Sequence, residues 1–303
     1  MRAIITGATG MIGIALTNEL LEQGYDCIAI VRNHSSKIGL LPNHPRLEII
    51  ECDINHLNQL EINKPCDFLV HLAWQATTGQ DRDNSYLQLD NIKYALDAVN
   101  LAKRTGCKKF VGVGSQAEYG QKSEALAANT SVDPQSGYGV AKYATSKLTK
   151  IYANQLEINH CWGRILSVYG QNDNPNSLIS YLIKTFSEEE EADLTKCEQM
   201  WDYLYVKDCA LALRLIAEKG INNKVYVIGS GKVQALSNYV NTIKETLNSK
   251  SNVCFGARDY YKNQPMYLCA NISELTQDTG FIPKYSFEQG IKETIDYYLE
   301  QRK

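Results

Sequence analysis

Read for apolar and polar positions, the chain alternates short apolar runs with longer stretches of helical periodicity. Ala3-Ile4-Ile5 is the first run, and an amphipathic stretch to Gln23 follows it. Further runs fall at Cys27–Val31, Leu47–Glu51, Phe68–Val70 and Lys109–Val113. Residues 83–105 and 138–155 read as long helices, the second free of Gly and Pro after Gly139. This alternation, sustained to residue 165, predicts an α/β fold with a parallel sheet covered on both faces. Ligands of such sheets sit outside the carboxyl ends of the strands, so chemistry is expected at those ends.

The first strand end carries Thr6-Gly7-Ala8-Thr9-Gly10-Met11-Ile12-Gly13, a Gly-x-x-Gly-x-x-Gly turn between strand and helix. Its glycines permit a tight turn, close approach of a diphosphate and close helix packing, while the helix N-terminus offers free N–H groups. With a second strand following, the context of a dinucleotide site is complete. The second strand ends Val31-Arg32-Asn33-His34-Ser35-Ser36-Lys37. An NAD site usually presents a carboxylate here to the ribose 2′-hydroxyl. Arg32, two hydroxyls and Lys37 suit a 2′-phosphate instead, which favours NADP over NAD; the alternative is an Arg32 that only caps the strand. Asp53-Ile54 ends the third strand, where a carboxylate can meet the adenine amino group. His71-Leu72-Ala73-Trp74 ends the fourth and Gly114-Ser115 the fifth.

Candidate chemistry centres on Ser136-Gly137-Tyr138-Gly139-Val140-Ala141-Lys142. Four residues apart on a helix, Tyr138 and Lys142 share a face. A neighbouring ammonium favours the phenolate, bringing a phenol of pKa about 10 nearer to working pH. The spacing occurs also at Tyr143/Lys147 and Tyr203/Lys207, so it carries weight only with its surroundings. Ser115, at a strand end within reach of that helix, can hydrogen-bond a carbonyl while the Tyr moves a proton.

Composition excludes several classes. A net charge of -3 provides no basic footprint for nucleic acid, and no apolar stretch approaches the ~20 residues of a membrane span. Met1 leads almost directly into a strand, leaving no room for a signal peptide. The nine cysteines lack any Cys-x-x-Cys pair and read as reduced thiols of a cytoplasmic protein, with no metal site expected.

Together, Thr6–Gly13, Asp53-Ile54, His71-Leu72-Ala73, Asn91, Gly114-Ser115…Tyr119-Gly120, Tyr138-x-x-x-Lys142 and Arg164…Tyr169-Gly170 resemble the extended short-chain dehydrogenase/reductases, specifically the nucleotide-sugar epimerase, dehydratase and reductase branch. The resemblance continues through Asp202–Asp208 and Val225–Ser230 to Gly280-Phe281-Ile282-Pro283. It implies a Rossmann-type doubly wound domain (1–165 and 203–228) and a smaller substrate domain (166–202 and 229–303). It implies that Gly7, Thr9, Gly10, Met11, Ile12 and Gly13 hold the diphosphate end of the cofactor and Arg32, Asp53 and Ile54 its adenosine end. Leu72, Ala73, Trp74, Asn91, Tyr138, Lys142 and Ile165 complete the cofactor site. Trp74, Gln116, Ser167, Trp201 and Arg258 are the implied contacts of a nucleotide sugar; a guanidinium such as Arg258 can bind a diphosphate bidentately. Ser167, Trp201 and Trp74 depart from the family's usual residues. The implied catalytic set is Ser115, Tyr138 and Lys142.

Family dehydratases carry an Asp-Glu pair directly after the hydroxyl residue. Here Gln116 and Ala117 follow Ser115, and in an extended segment Glu118 points to the opposite side. Two enzymatic readings remain: NADPH-dependent reduction of a nucleotide-linked 4-keto-6-deoxy sugar at C4, which Arg32 favours, and C4 epimerisation with tightly bound NAD. A non-catalytic NADP-binding regulator is the third. The resemblance also implies a homodimer formed through helices 83–105 and 138–155.

Overall fold

Seven parallel strands form the centre of the protein. The computed structural model describes residues 1–261 and 264–301. The sheet contains β1 (Arg2–Thr6), β2 (Asp26–Val31), β3 (Leu47–Glu51), β4 (Phe68–His71), β5 (Lys109–Ser115) and β6 (Asn159–Ile165). Its order is β3-β2-β1-β4-β5-β6, with Val225–Ile228 outside β6. The order reverses between β1 and β4, and that switch point opens the cleft in which doubly wound sheets bind their ligands.

Successive side chains of a strand face opposite ways, and both faces are covered here, which explains the unbroken apolar runs. Ala3 and Ile5 face α1 (Met11–Glu22), while Ile4, Leu69 and Phe110 face α2 (Ser85–Arg104) and α3 (Gly137–Gln155). Each fully buried Ile or Phe contributes about 1.5–3 kcal/mol. The helix expected from residue 83 begins at Ser85 because Asn84 caps it, its Oδ1 accepting from the N–H groups of Tyr86 and Leu87. Gln80–Asp83 forms a separate 3-10 turn.

The rest of the chain contributes β7 (Ser167–Tyr169), α4 (Leu178–Ser187), β8 (Ala192–Leu194), β9 (Met200–Trp201), β10 (Tyr203–Tyr205), α5 (Val206–Lys219) and β11 (Val225–Ile228). Then come β12 (Gln234–Ala235), α6 (Leu236–Thr246), β13 (Val253–Phe255), β14 (Tyr267–Leu268), α7 (Ser273–Thr279) and α8 (Phe287–Glu300). Three small sheets pair β7 with β10, β8 with β13, and β12-β9-β14. Helix α5 packs beside α1 on the large sheet, and α7 packs on α5 and β11. A division at 202/203 would therefore separate the paired β7 and β10, and α7 lies with the large sheet. A second core of Tyr169, Phe186, Tyr205, Tyr239 and Ile291 knits α4, α6 and α8 together. Among the described residues no helix is long and apolar enough to cross a membrane.

Candidate active site

The turn after β1 is shaped by its glycines. Gly7 has φ +70°, and a Cβ there would stand 2.7 Å from the backbone nitrogen of Ala73. A Cβ on Gly13 would strike the carbonyl of Gly7, so the helix can seat on the turn only without one. At Gly10 the nearest atom to an added Cβ is 3.4 Å away, so no contact of that kind closes off its outer side. Gly10 is the N-cap of α1 and has no side chain to occupy the N–H groups that follow. Open backbone and free donors at a helix N-terminus fit a dinucleotide diphosphate.

These residues open a cleft of about 770 Å³ lined by Gly7, Thr9, Gly10, Arg32, Asp53, Ile54, Leu72, Ala73 and Trp74, all anticipated, together with Ser35 and Lys37. Asp53 is already engaged, one oxygen accepting from the Asn33 N–H and the other from its amide group, both at 3.1 Å. Met11 lines a different cavity, of about 390 Å³ between α1 and α5. Ile12 packs against the core, and Ile165 is buried in it, in register with Ser115. Asn91, Tyr138 and Lys142 do not line the cleft themselves; Trp74 connects Tyr138 and Lys142 to it, and Gln75 connects Asn91.

Ser115 caps the 3-10 turn Gln116–Glu118, its Oγ accepting from the Ala117 N–H at 3.2 Å. Contrary to the expectation from sequence, the segment is not extended, because Glu118 folds back to accept from the Ser115 N–H at 3.0 Å. Glu118 is fully buried and paired with Arg164 Nε at 2.7 Å and Trp162 Nε1 at 3.0 Å. It is thus committed to partners in the protein interior. Gly114 leaves the room for it, since a Cβ there would overlap the carboxylate and the indole.

Tyr138 lies in the first turn of α3, behind the cap Ser136. Burial pushes its phenol above the ordinary value, while a hydrogen bond from Ser115 and the charge of Arg82 pull it down. Lys142 is buried, and desolvation lowers its amine to about 7. Its Nζ donates to the Val113 carbonyl at 2.7 Å and lies 3.6 Å from the centroid of the Trp74 ring. It stands 5.7 Å from the Tyr138 ring centroid, so this lysine is turned toward backbone and indole rather than toward the phenol.

Three residues went unnoticed in the sequence. Gln88 donates to the carbonyls of Ala76 and Arg82 and accepts from Trp74 Nε1 at 3.0 Å. With Asn91, which holds both backbone groups of Gln75, it pins the loop after β4. The signal was present: Gln88 and Asn91 share a helix face with the buried Ala95, Ala98 and Ala102. Arg82, carried by that loop, stacks on Tyr138 with Cζ 4.7 Å from the ring centroid. The third, Gln199, is buried with no partner for Oε1 among the described residues.

Gln116 likewise has a buried Oε1 without a partner among the described residues. Ser167 accepts from Trp201 Nε1 at 2.8 Å. Trp201, Arg258 and Gln199 line a cavity of about 550 Å³ bounded by Tyr181, Tyr203, Tyr261 and Gln264. Its aromatic walls and guanidinium suit a base and a diphosphate. On the surface, Glu191, Asp193 and Cys254 bring ligand atoms within 4.8 Å of one another, an arrangement common among exposed acids without an ion.

A dinucleotide turn at a sheet switch point, beside a Ser–Tyr–Lys group, defines a nicotinamide-dependent enzyme class. The profile of the NAD dependent epimerase/dehydratase family matches residues 3–229, and the protein belongs to that family. It is 31% identical over 272 residues to the dTDP-6-deoxy-L-talose 4-dehydrogenase (NAD(+)) of Aggregatibacter actinomycetemcomitans, covering 86% of this chain and 97% of that one. It is 26% identical over 307 residues to the CDP-abequose synthase of Salmonella muenchen, covering 97% of each. Among solved structures, the UDP-N-acetylglucosamine 4-epimerase of Methanobrevibacter ruminantium M1, in complex with UDP-N-acetylmuramic acid, matches with a TM-score of 0.90 and 26% identity. The match covers 99% of this chain and 98% of that one. The protein is thus a nucleotide-sugar-modifying enzyme of this family.

Proposed function

We propose that the protein reduces the C4 ketone of a nucleotide-linked 4-keto-6-deoxy sugar with NADPH. The observation that carries this reading is the far end of the cleft, where Arg32, Ser35 and Lys37 gather and the Asp53 carboxylate is held by Asn33. Cations and a hydroxyl there favour a 2′-phosphate. The talose relative acts, by its name, at C4 of a 6-deoxy sugar, which supports the reaction. Its name also specifies NAD(+), so the NADP assignment rests on this chain's own residues.

When bound, NADPH would supply the hydride to C4. Ser115 donates to the ketone oxygen and orients it. Tyr138 gives its proton to the oxygen as negative charge develops. Lys142, on leaving the Val113 carbonyl, would hold the nicotinamide ribose and would add positive potential beside the phenol. Trp201 and Arg258 hold the nucleotide, and the unpartnered Gln116 Oε1 accepts from a sugar hydroxyl.

The likeness to a 4-epimerase supports a second reading, C4 epimerisation with NAD retained. Ser115, Tyr138 and Lys142 together disfavour a regulator without activity. A dimer is supported by the exposed apolar residues Leu89 on α2 and Leu148 and Ile151 on α3. The reading is tested by following NADPH absorbance while purified protein meets dTDP-, CDP- and UDP-linked 4-keto-6-deoxy sugars. Stoichiometric oxidation with one of them is expected; its absence across the panel overturns the proposal.

A further inference from the structure

The 3-10 turn Gln80–Asp83 is docked on the start of α3. Asp83 Oδ1 accepts from the Gly137 N–H at 2.8 Å, and a Cβ on Gly137 would lie 3.3 Å from the Asp83 Cα. Gln88 holds the turn from the other side through the Arg82 carbonyl at 3.2 Å. Fixed at both flanks, the turn lays the Arg82 guanidinium on the Tyr138 ring, 4.7 Å from its centroid. The Arg82 Nε is buried and has no hydrogen-bond partner among the described residues, so ring contact replaces the hydrogen bond it would make in water.

We infer that Arg82 is a positioning residue that prepares Tyr138 for proton transfer, its charge on the ring face favouring the phenolate over the phenol. A cation within about 6 Å of an aromatic centroid is attracted to the ring, and more so when the ring carries negative charge. The groups facing Tyr138 are few. Ser115 hydrogen-bonds it, Trp74 meets its edge at 6.0 Å, and Lys142 lies one turn along the same helix. Glu118 opposes ionisation from behind Ser115, and Asp83 is committed to Gly137. Lys142 is bonded to the Val113 carbonyl, and burial lowers its amine toward the neutral range, which weakens its hold on the charge there. An arginine keeps its charge throughout that range, which makes Arg82 the constant cation at the phenol.

The inference rests on Tyr138 being the proton donor of the reading above, and its test needs no substrate, so the two can fail separately. With 19 tyrosines in the chain, a unique probe is required. A difluorotyrosine, whose phenol is intrinsically more acidic, is incorporated at position 138 of the full chain and its ¹⁹F shift is titrated. An opposite charge within 4–6 Å moves a pKa by about one to three units. Arg82→Met should therefore raise the midpoint by about one pH unit or more, and Arg82→Lys by less. Should Arg82→Met fail to fold, Arg82→Gln, which also removes the charge, takes its place with the same expected rise. An unchanged midpoint in the charge-removing variant overturns the inference. A midpoint that rises equally in Arg82→Lys also overturns it, because packing rather than charge would then be responsible.

Discussion

Replacing Arg164 with Met isolates a charge that is entirely enclosed. Glu118 and Arg164 are 0% and 3% exposed, and their contact is 2.7 Å. The guanidinium also stacks on Tyr119, with Cζ 4.5 Å from the centroid, a packing that Met partly retains. After Arg164→Met the carboxylate keeps two donors, Trp162 Nε1 and the Ser115 N–H, but loses the cation in contact with it. Breaking one side of a buried pair costs about 3–5 kcal/mol. In a chain of this size that corresponds to a fall in Tm of roughly 5–8 °C. Adding Glu118→Gln removes the orphaned charge and keeps an acceptor for both donors, so more than half of the loss should return. Urea unfolding of parent, single and double variants, followed by fluorescence, measures all three. A loss below about 1 kcal/mol, or a double variant no more stable than the single, would refute the view that Glu118 is a structural anion beneath Ser115.

Three further outcomes follow from the site. Tyr138→Phe removes the transferable proton and should lower turnover by about 10²–10⁴-fold with cofactor affinity nearly intact, read from initial rates and a binding titration. For Lys142, the folded protein holds the amine near 7 against 10.5 in the unfolded chain, so between those limits the unfolded state binds the extra proton and stability rises with pH. Lys142→Met should then exceed the parent in stability by up to roughly 5 kcal/mol at pH 6, a gap that closes toward pH 10 in urea titrations at both pH values. Val31→Asp with Arg32→Asn should erase a preference for NADP over NAD of about ten- to a hundred-fold, the worth of one charge-assisted contact, measured by calorimetry on both proteins.

What could be read from the sequence was local. The turn Gly7–Gly13 announces itself because its glycines act on neighbours within a few residues. The Tyr138–Lys142 pair follows from the helical repeat, and the strand ends place Ser115, Asp53 and Leu72 with it. Contacts that depend on sheet register were invisible. Glu118 meets Arg164 because Gly114 and Arg164 are register partners on β5 and β6. The resulting fold-back turned an expected extended segment into a 3-10 turn. Lys142 turns to Val113 and Trp74 for a similar reason, since burial favours any acceptor or ring within reach. Arg82 reaches Tyr138 only because Gln88 and Asp83 fix an irregular loop, and no periodicity reports that.

The central claim, net reduction at C4, is tested most directly with NADPH deuterated at the nicotinamide C4, prepared with the label on either face. The protein is incubated with this cofactor and the nucleotide-linked 4-keto-6-deoxy sugar it accepts, and the product is examined by NMR and mass spectrometry. The account predicts one deuterium at C4 of the sugar from one of the two labelled forms, with one NADPH oxidised per product. No deuterium in the sugar and no net oxidation of NADPH, together with inversion at C4 of a nucleotide-linked 4-hydroxy sugar offered in its place, would contradict it and establish the epimerase instead.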